Sequence, residues 1–176
     1  TTAAAQEGRA SAPAPTPDLT VLTAQQWRDI DNSVDRGLEF IAAHQQRDGS
    51  FQAPMAGQPG ITSLCVMAFL SRGHVPGMGP YGEQLERAID FVLSTQQPTG
   101  LLSIDSRGSG SGGRPNYNHA IAGLMLGEVY GMTTGELNGR IRRAVPRALE
   151  FSRMRQTRLK RHPRDNGGWR YIRGYG

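Results

Sequence analysis

One cysteine, Cys65, and one lysine, Lys160, are all that 176 residues hold of either type. A single thiol within an apolar run excludes an intrachain disulfide framework and any multi-cysteine zinc site, and reads as a small buried core residue. No metal and no cofactor is expected. Apolar residues make up only 37% of the chain, and its longest apolar run, Ile61 to Leu70, is too short to cross a bilayer. No stretch alternates apolar and polar residues for long enough to form a strand, which points to an all-α protein. Glycine (23) and proline (11) are plentiful by contrast, so loops take a large share of the rest. Acidic residues are scarce where bases gather. From Arg140 onward, eleven Arg and Lys160 face Glu150 and Asp165, a local balance of +10 (12 minus 2), so the remainder carries −5 within the total of +5.

What the chain does have is one phrase stated three times. The first copy runs from Arg36-Gly37 through Phe40-Ile41 and Gln45 to Gly49-Ser50-Phe51. The second has Arg87-Ala88, Phe91-Val92, Gln96 and Gly100-Leu101-Leu102. The third has Arg147-Ala148, Phe151, Gln156 and, after a basic insertion, Gly167-Gly168-Trp169. Internal repetition on this scale decides architecture before any local reading does.

The phrase falls on amphipathic helices that alternate with apolar ones. Thr23 is a candidate N-cap for a helix to about His44, with Ile30, Val34, Leu38 and Ile41 on one face. Ile61 to about Ser71 is apolar on every side and is expected to be buried all round. Tyr81 to Thr95 is amphipathic again; Asn116 to Tyr130 is largely apolar, with Gly131 as its C-cap. Thr134 to Gln156 closes the series and should bend at Pro146, which lacks a backbone donor. The Ala/Pro/Thr-rich stretch 1–22 reads as a flexible linker of either an engineered or a processed chain, the latter including one trimmed after export, and 23–176 as one domain of helix pairs. Two helix types imply two concentric layers: the fold expected is an incomplete α/α toroid, an arc of helix-pair repeats.

The thrice-stated phrase resembles the QW motif of the squalene–hopene cyclase and oxidosqualene cyclase family, within the wider terpene cyclase and protein prenyltransferase superfamily. Arg36, Gly37, Phe40, Ile41, Gln45 and Gly49 match it, with Phe51 in place of Trp; Arg87, Ala88, Phe91, Val92, Gln96 and Gly100 match, with Leu102 in place of Trp. Arg147, Ala148, Phe151, Gln156, Gly167 and Trp169 match, but Ser152 stands where an aliphatic is expected. The residues themselves predict structural work. The aromatic and aliphatic positions should face the inner layer, the Gln should supply donors to unpaired carbonyls at its helix C-terminus, and the last large residue should cover the turn.

The resemblance implies an acidic DxDD motif at the opening of an apolar helix, where a carboxyl would protonate an alkene or epoxide. The matching place, Gln58-Pro59-Gly60-Ile61-Thr62, keeps Thr62 and has no acid. The next such place, Asn116-Tyr117-Asn118-His119-Ala120, has none either. Prenyltransferase zinc ligands are missing, since no Asp precedes Cys65 closely, and the Gly-Cys-Gly-Glu-Gln sequence of complement-like thioester proteins is absent. Thr62, Tyr117, Asn118 and His119 remain as candidate pocket residues at one mouth of the arc. Asn118 is open to two readings, an N-cap with His119 satisfied locally, or part of a ligand pocket. Glu128 is expected to reach solvent or a basic partner.

The run Arg153 to Arg164 is open to two readings as well. It is a solvated loop between repeats, or an anion site formed by Arg153, Arg155, Arg158, Lys160, Arg161 and Arg164 for anionic lipid or pyrophosphate. No aromatic interleaves with these charges and no nucleic-acid motif is present, so no specific nucleic acid is expected. Self-association or further repeats should complete the open edge. Three functions are compatible with this sequence: a non-catalytic repeat module for binding or assembly, a fragment of a class II terpene cyclase whose acid motif lies elsewhere, or an isoprenoid- or lipid-binding protein, exported or peripheral to a membrane.

Overall fold

A computed structural model describes residues 21–104, 115–160 and 162–169. They form five helices: α1 Ala24–Ala43, α2 Gly60–Ser71, α3 Gly82–Ser94, α4 Pro115–Glu128 and α5 Gly135–Thr157, with short 3-10 turns at Met55–Gly57 and Pro163–Asp165. Among the described residues there is no strand; β-pairing is limited to single bridges between Gln45 and Phe51 and between Gln96 and Leu102. The all-α reading holds. The linker expected at 1–22 falls, up to residue 20, outside the described residues.

Local chemistry sets the helix ends. Thr23 and Gln26 form a reciprocal capping box: the Gln26 N–H donates to Thr23 Oγ1 (3.2 Å) and the Thr23 N–H to Gln26 Oε1 (2.8 Å). Pro115 opens α4, where its missing N–H leaves no donor unpaired. Gly131, at φ 85°, turns the chain after α4. Proline does not end α5, which continues unbroken through Pro146.

The chain divides into two compact units, Thr1–Asp35 and Arg36–Gly176, with the boundary inside α1. In the second unit, α2 packs along α4, α3 lies against α2 and α5, and α5 lies against α4. Gly60 permits the close crossing of α2 and α4, since a Cβ there would sit 2.6 Å from Asn118 Oδ1. The core joins Val66 and Phe69 of α2, Leu85, Ile89 and Val92 of α3, Ala122, Met125 and Leu126 of α4, and Ile141, Ala144 and Ala148 of α5, with Leu38. Each large side chain buried there contributes roughly 1.5–3 kcal/mol.

Three expectations need correction. The apolar helix α2 is not buried all round: its Leu64 is exposed, as is Leu124 of α4, because among the described residues no helix covers that side. Phe40, placed by its motif position among inward-facing aromatics, is exposed and stacks on His44 with ring centroids 4.1 Å apart. Ile30 and Val34, on the apolar side of α1, are exposed as well.

Candidate functional site

The repeated motif builds a joint between consecutive motif helices. Gln45, just past α1, donates from Nε2 to the Gly49 carbonyl (3.0 Å) and to the Gln84 carbonyl of α3 (2.8 Å), and its Oε1 accepts from Arg87 (2.6 Å). Gln96 repeats the move one helix on, donating to the Ala144 carbonyl of α5 (2.9 Å), while Arg147 donates to the Gln97 and Pro98 carbonyls (3.2 and 3.3 Å). The amide therefore reaches forward to the next motif helix, three residues before its Arg, rather than serving its own helix end. The motif glycine completes the joint. Gly49 (φ 89°) and Gly100 (φ 90°) lie so close to the next helix that a Cβ would meet the Arg87 or Arg147 carbonyl oxygen at 2.2 Å. Only glycine allows both the positive φ and the approach.

Thr62 and His119 turn out to be equivalents. Thr62 Oγ1 accepts the Phe51 N–H (3.1 Å) and donates to Gln58 Oε1 (2.8 Å), while Gln58 Nε2 donates to the Phe51 carbonyl (2.7 Å). In the second repeat, His119 Nδ1 accepts the Leu102 N–H (3.1 Å). Both therefore hold the buried backbone of the last motif residue. Gln58, almost wholly buried, completes the first of these networks; residue type alone gave no sign of it. His119 Nε2 lies 3.0 Å from Ser152 Oγ, and its ring packs edge-on to Phe151 at 4.7 Å. This accounts for Ser152, whose polarity in an aliphatic motif position was the one available signal. Burial pushes the His119 pKa down to about 4, against a smaller upward push from a hydrogen bond to the Ala148 backbone.

Asn118 is not an N-cap. It lies one turn inside α4, and its Nδ2 donates to the Ala56 and Gln58 carbonyls (3.0 and 2.7 Å), tying α4 to the turn before α2. Two hollows flank this region. The larger, about 560 Å³, is lined by Asn116, Tyr117, His119, Ala120, Phe151, Ser152 and Trp169. The smaller, about 260 Å³, lies between α2 and α4 and includes Ile61, Leu64, Tyr117, Asn118 and Ile121. Tyr117 borders both, whereas Thr62 is fully buried and borders neither. Trp169, the last motif residue of copy three, is exposed where Phe51 and Leu102 are buried. Its indole N–H donates to the Ser152 carbonyl (3.3 Å), so it walls the hollow instead of covering a turn.

The hydrogen bonds of His119 fix its tautomer. A backbone N–H can only donate, so Nδ1 of His119 must be the acceptor and the neutral ring carries its proton on Nε2. That proton faces Ser152, so the imidazole has no lone pair with which to activate the hydroxyl. Glu128, in α4, is exposed, and among the described residues no group of three His, Cys, Asp or Glu could hold a metal. Burial raises the Cys65 thiol pKa, against the direction a nucleophile needs.

The basic run is partly helical, since α5 continues to Thr157. Arg153 pairs with Glu150 (2.9 and 2.7 Å), holding the Glu150 carboxyl below its usual range. Arg155 is buried, and Lys160 Nζ donates to its carbonyl. Desolvation, with Arg155 and Arg158 nearby, lowers the Lys160 pKa. Arg158 and Arg164 are exposed, and Arg161 lies outside the described residues. Of the five described cations, Arg155 is thus withdrawn from the surface and Arg153 is engaged by Glu150.

No protein-family model, characterised protein or solved structure matches the chain. Its functional reading therefore rests on its own residues.

Proposed function

We propose that this chain is a non-catalytic helix-pair repeat module, an arc of an α/α toroid of the squalene cyclase and prenyltransferase type, which serves binding rather than turnover. The observation that carries this reading is the use made of Thr62 and His119. They stand at the openings of the two apolar helices, beside the acid-free places where the resemblance would put a proton donor, and both are spent on the buried N–H groups of Phe51 and Leu102. The alternation of motif and apolar helices, with each motif helix joined to the next, supports the toroid arc. Incubation with a linear polyene and with a polyprenyl diphosphate, followed by mass spectrometry, should show neither cyclised nor transferred product. A cyclised product formed by this chain alone would overturn the reading.

One observation favours an isoprenoid-like apolar ligand: the hollow of about 560 Å³ has Tyr117, Ala120, Phe151 and Trp169 as apolar walls and a few polar groups to orient a ligand, as small-molecule sites commonly do. The chain has two tryptophans, Trp27 and Trp169, so a Trp27→Phe variant reports on the hollow alone. Titration with an isoprenoid alcohol should shift its fluorescence saturably, and Ala120→Phe should abolish the shift by filling the space. An unsaturable or absent response argues against the ligand and leaves the non-catalytic assignment standing.

A further inference from the structure

Position by position, the three motif copies are not buried alike, and the difference runs in opposite directions on two faces of the motif helices. The leading positions become covered along the chain. Gly37 is exposed while Ala88 and Ala148 are buried; Phe40 is 64% exposed, Phe91 half-buried and Phe151 1% exposed. The trailing positions become uncovered. Leu38 and Ile89 are 4% and 0% exposed, but Leu149, in the same register on α5, is 65% exposed. Gln45 and Gln96 are half-buried and Gln156 is exposed; Gly49 and Gly100 are buried and Gly167 is exposed.

Each copy therefore meets its predecessor with one face and its successor with the other. Phe151 packs on His119 of the preceding apolar helix. Gln45 and Gln96 reach the following motif helix, and Gly49 and Gly100 lie against its Arg carbonyl. On α5 the trailing face has no following helix among the described residues, and nothing lies within 4 Å of the Gly167 Cβ position. On α1 the positions that this face elsewhere meets are, by register, the Ser33 and Arg36 carbonyls, which neighbour the exposed Gly37 and Phe40 of the leading face.

We propose that the trailing face of α5 docks the leading face of α1 from a second copy of this chain, head to tail. Charge favours this pairing over α5 meeting α5. Helix α1 carries Arg28 and Arg36 against Asp29, Asp31, Asp35 and Glu39, a balance of −2 (2 minus 4). Helix α5 carries six Arg against Glu136 and Glu150, and leaving out buried Arg155 and Arg140, which pairs with Asp90 of α3, the balance is still +2 (4 minus 2). By register Gln156 would meet the Ser33 carbonyl, as Gln45 meets Gln84 and Gln96 meets Ala144. A contact between two different faces is heterologous, so it can propagate unless its rotation closes a ring.

The test uses two full-length variants at positions already exposed, Leu149→Arg on the trailing face and Phe40→Glu on the leading face. The proposal expects the unaltered protein to exceed 19.1 kDa in light scattering as concentration rises. Each variant alone should remain at monomer mass with unchanged helical circular dichroism. Their equimolar mixture should reach twice that mass and no more, because each supplies the face the other lacks. A wild-type mass that stays monomeric overturns the proposal and leaves the face to further chain or another protein. A mixture that stays monomeric, or a single variant that still assembles, overturns it too, the latter by showing a symmetric or unrelated contact.

Discussion

At the scale of single residues, His119 shows how a candidate site can be structure in disguise. Its neutral ring is required to accept the Leu102 N–H, and burial holds its pKa near 4 against an ordinary 6.5. The unfolded chain thus binds this proton from pH 6.5 downward while the folded chain resists it. The contribution is fully present above pH 6.5, is lost progressively as pH falls toward 4, and levels off below. The drop corresponds to about 3 kcal/mol at most. Urea unfolding at pH 7.5 and 4.5 should show the unaltered protein losing about 2 to 3 kcal/mol more than a His119→Gln variant; parallel losses would show that His119 is not the titrating group. The motif glycines offer a second comparison. Gly49→Ala and Gly100→Ala face both a positive φ and a carbonyl oxygen at 2.2 Å, whereas Gly167 has φ 80° and open space. Gly167→Ala should cost about 1 to 2 kcal/mol of backbone strain, and either of the other two substantially more by thermal or urea unfolding. Equal costs would mean that the close approach is not maintained in solution.

At the scale of elements, the sequence was legible wherever the pattern was local. Thr23 and Gln26 announced the start of α1, and every predicted helix lies within two residues of the observed ends. The repeat was legible too, but its physical meaning was not. A Gln near a helix C-terminus suggests service to that helix, and nothing in one copy reveals that its partner is a carbonyl 39 or 48 residues further on. Asn118 misled in the same way, since an Asn near a helix start looks like a cap until its long-range partners, Ala56 and Gln58, are known. The joint makes a graded prediction. Gln96→Ala should cost about 0.5 to 1.5 kcal/mol, the net worth of an intramolecular hydrogen bond. Gln45→Ala should cost at least as much, because Arg87 also loses its acceptor. Gln156→Ala should stay within about 0.5 kcal/mol in dilute solution, as expected at an exposed position. Equal costs across the three would deny the forward-reaching role.

At the scale of the whole molecule, burial depends on which neighbours exist, and periodicity cannot say how many there are. Leu38, Ile89 and Leu149 occupy one sequence register, and no local property separates the third from the first two. Its exposure follows only from what lies beside α5. The same reasoning explains why α2 and α4, both largely apolar in sequence, present Leu64 and Leu124 to solvent. In an array whose stability comes from nearest-neighbour interfaces, protection should follow the number of neighbours. Amide hydrogen exchange in dilute solution should therefore be slowest in α2, α3 and α4, around Val66, Ile89 and Met125, which are fully buried. It should be faster in the last turns of α5, where Leu149, Met154 and Gln156 are exposed. If copies join head to tail, raising the protein concentration should slow exchange at two separate places at once, residues 36–43 and residues 149–157, while α2, α3 and α4 change little. Raising the ionic strength should reverse part of that gain, since the opposite net charges of α1 and α5 are screened beyond about 10 Å at 0.1 M salt. Slowing at only one of the two segments would contradict the head-to-tail arrangement, because that contact uses both faces in equal number.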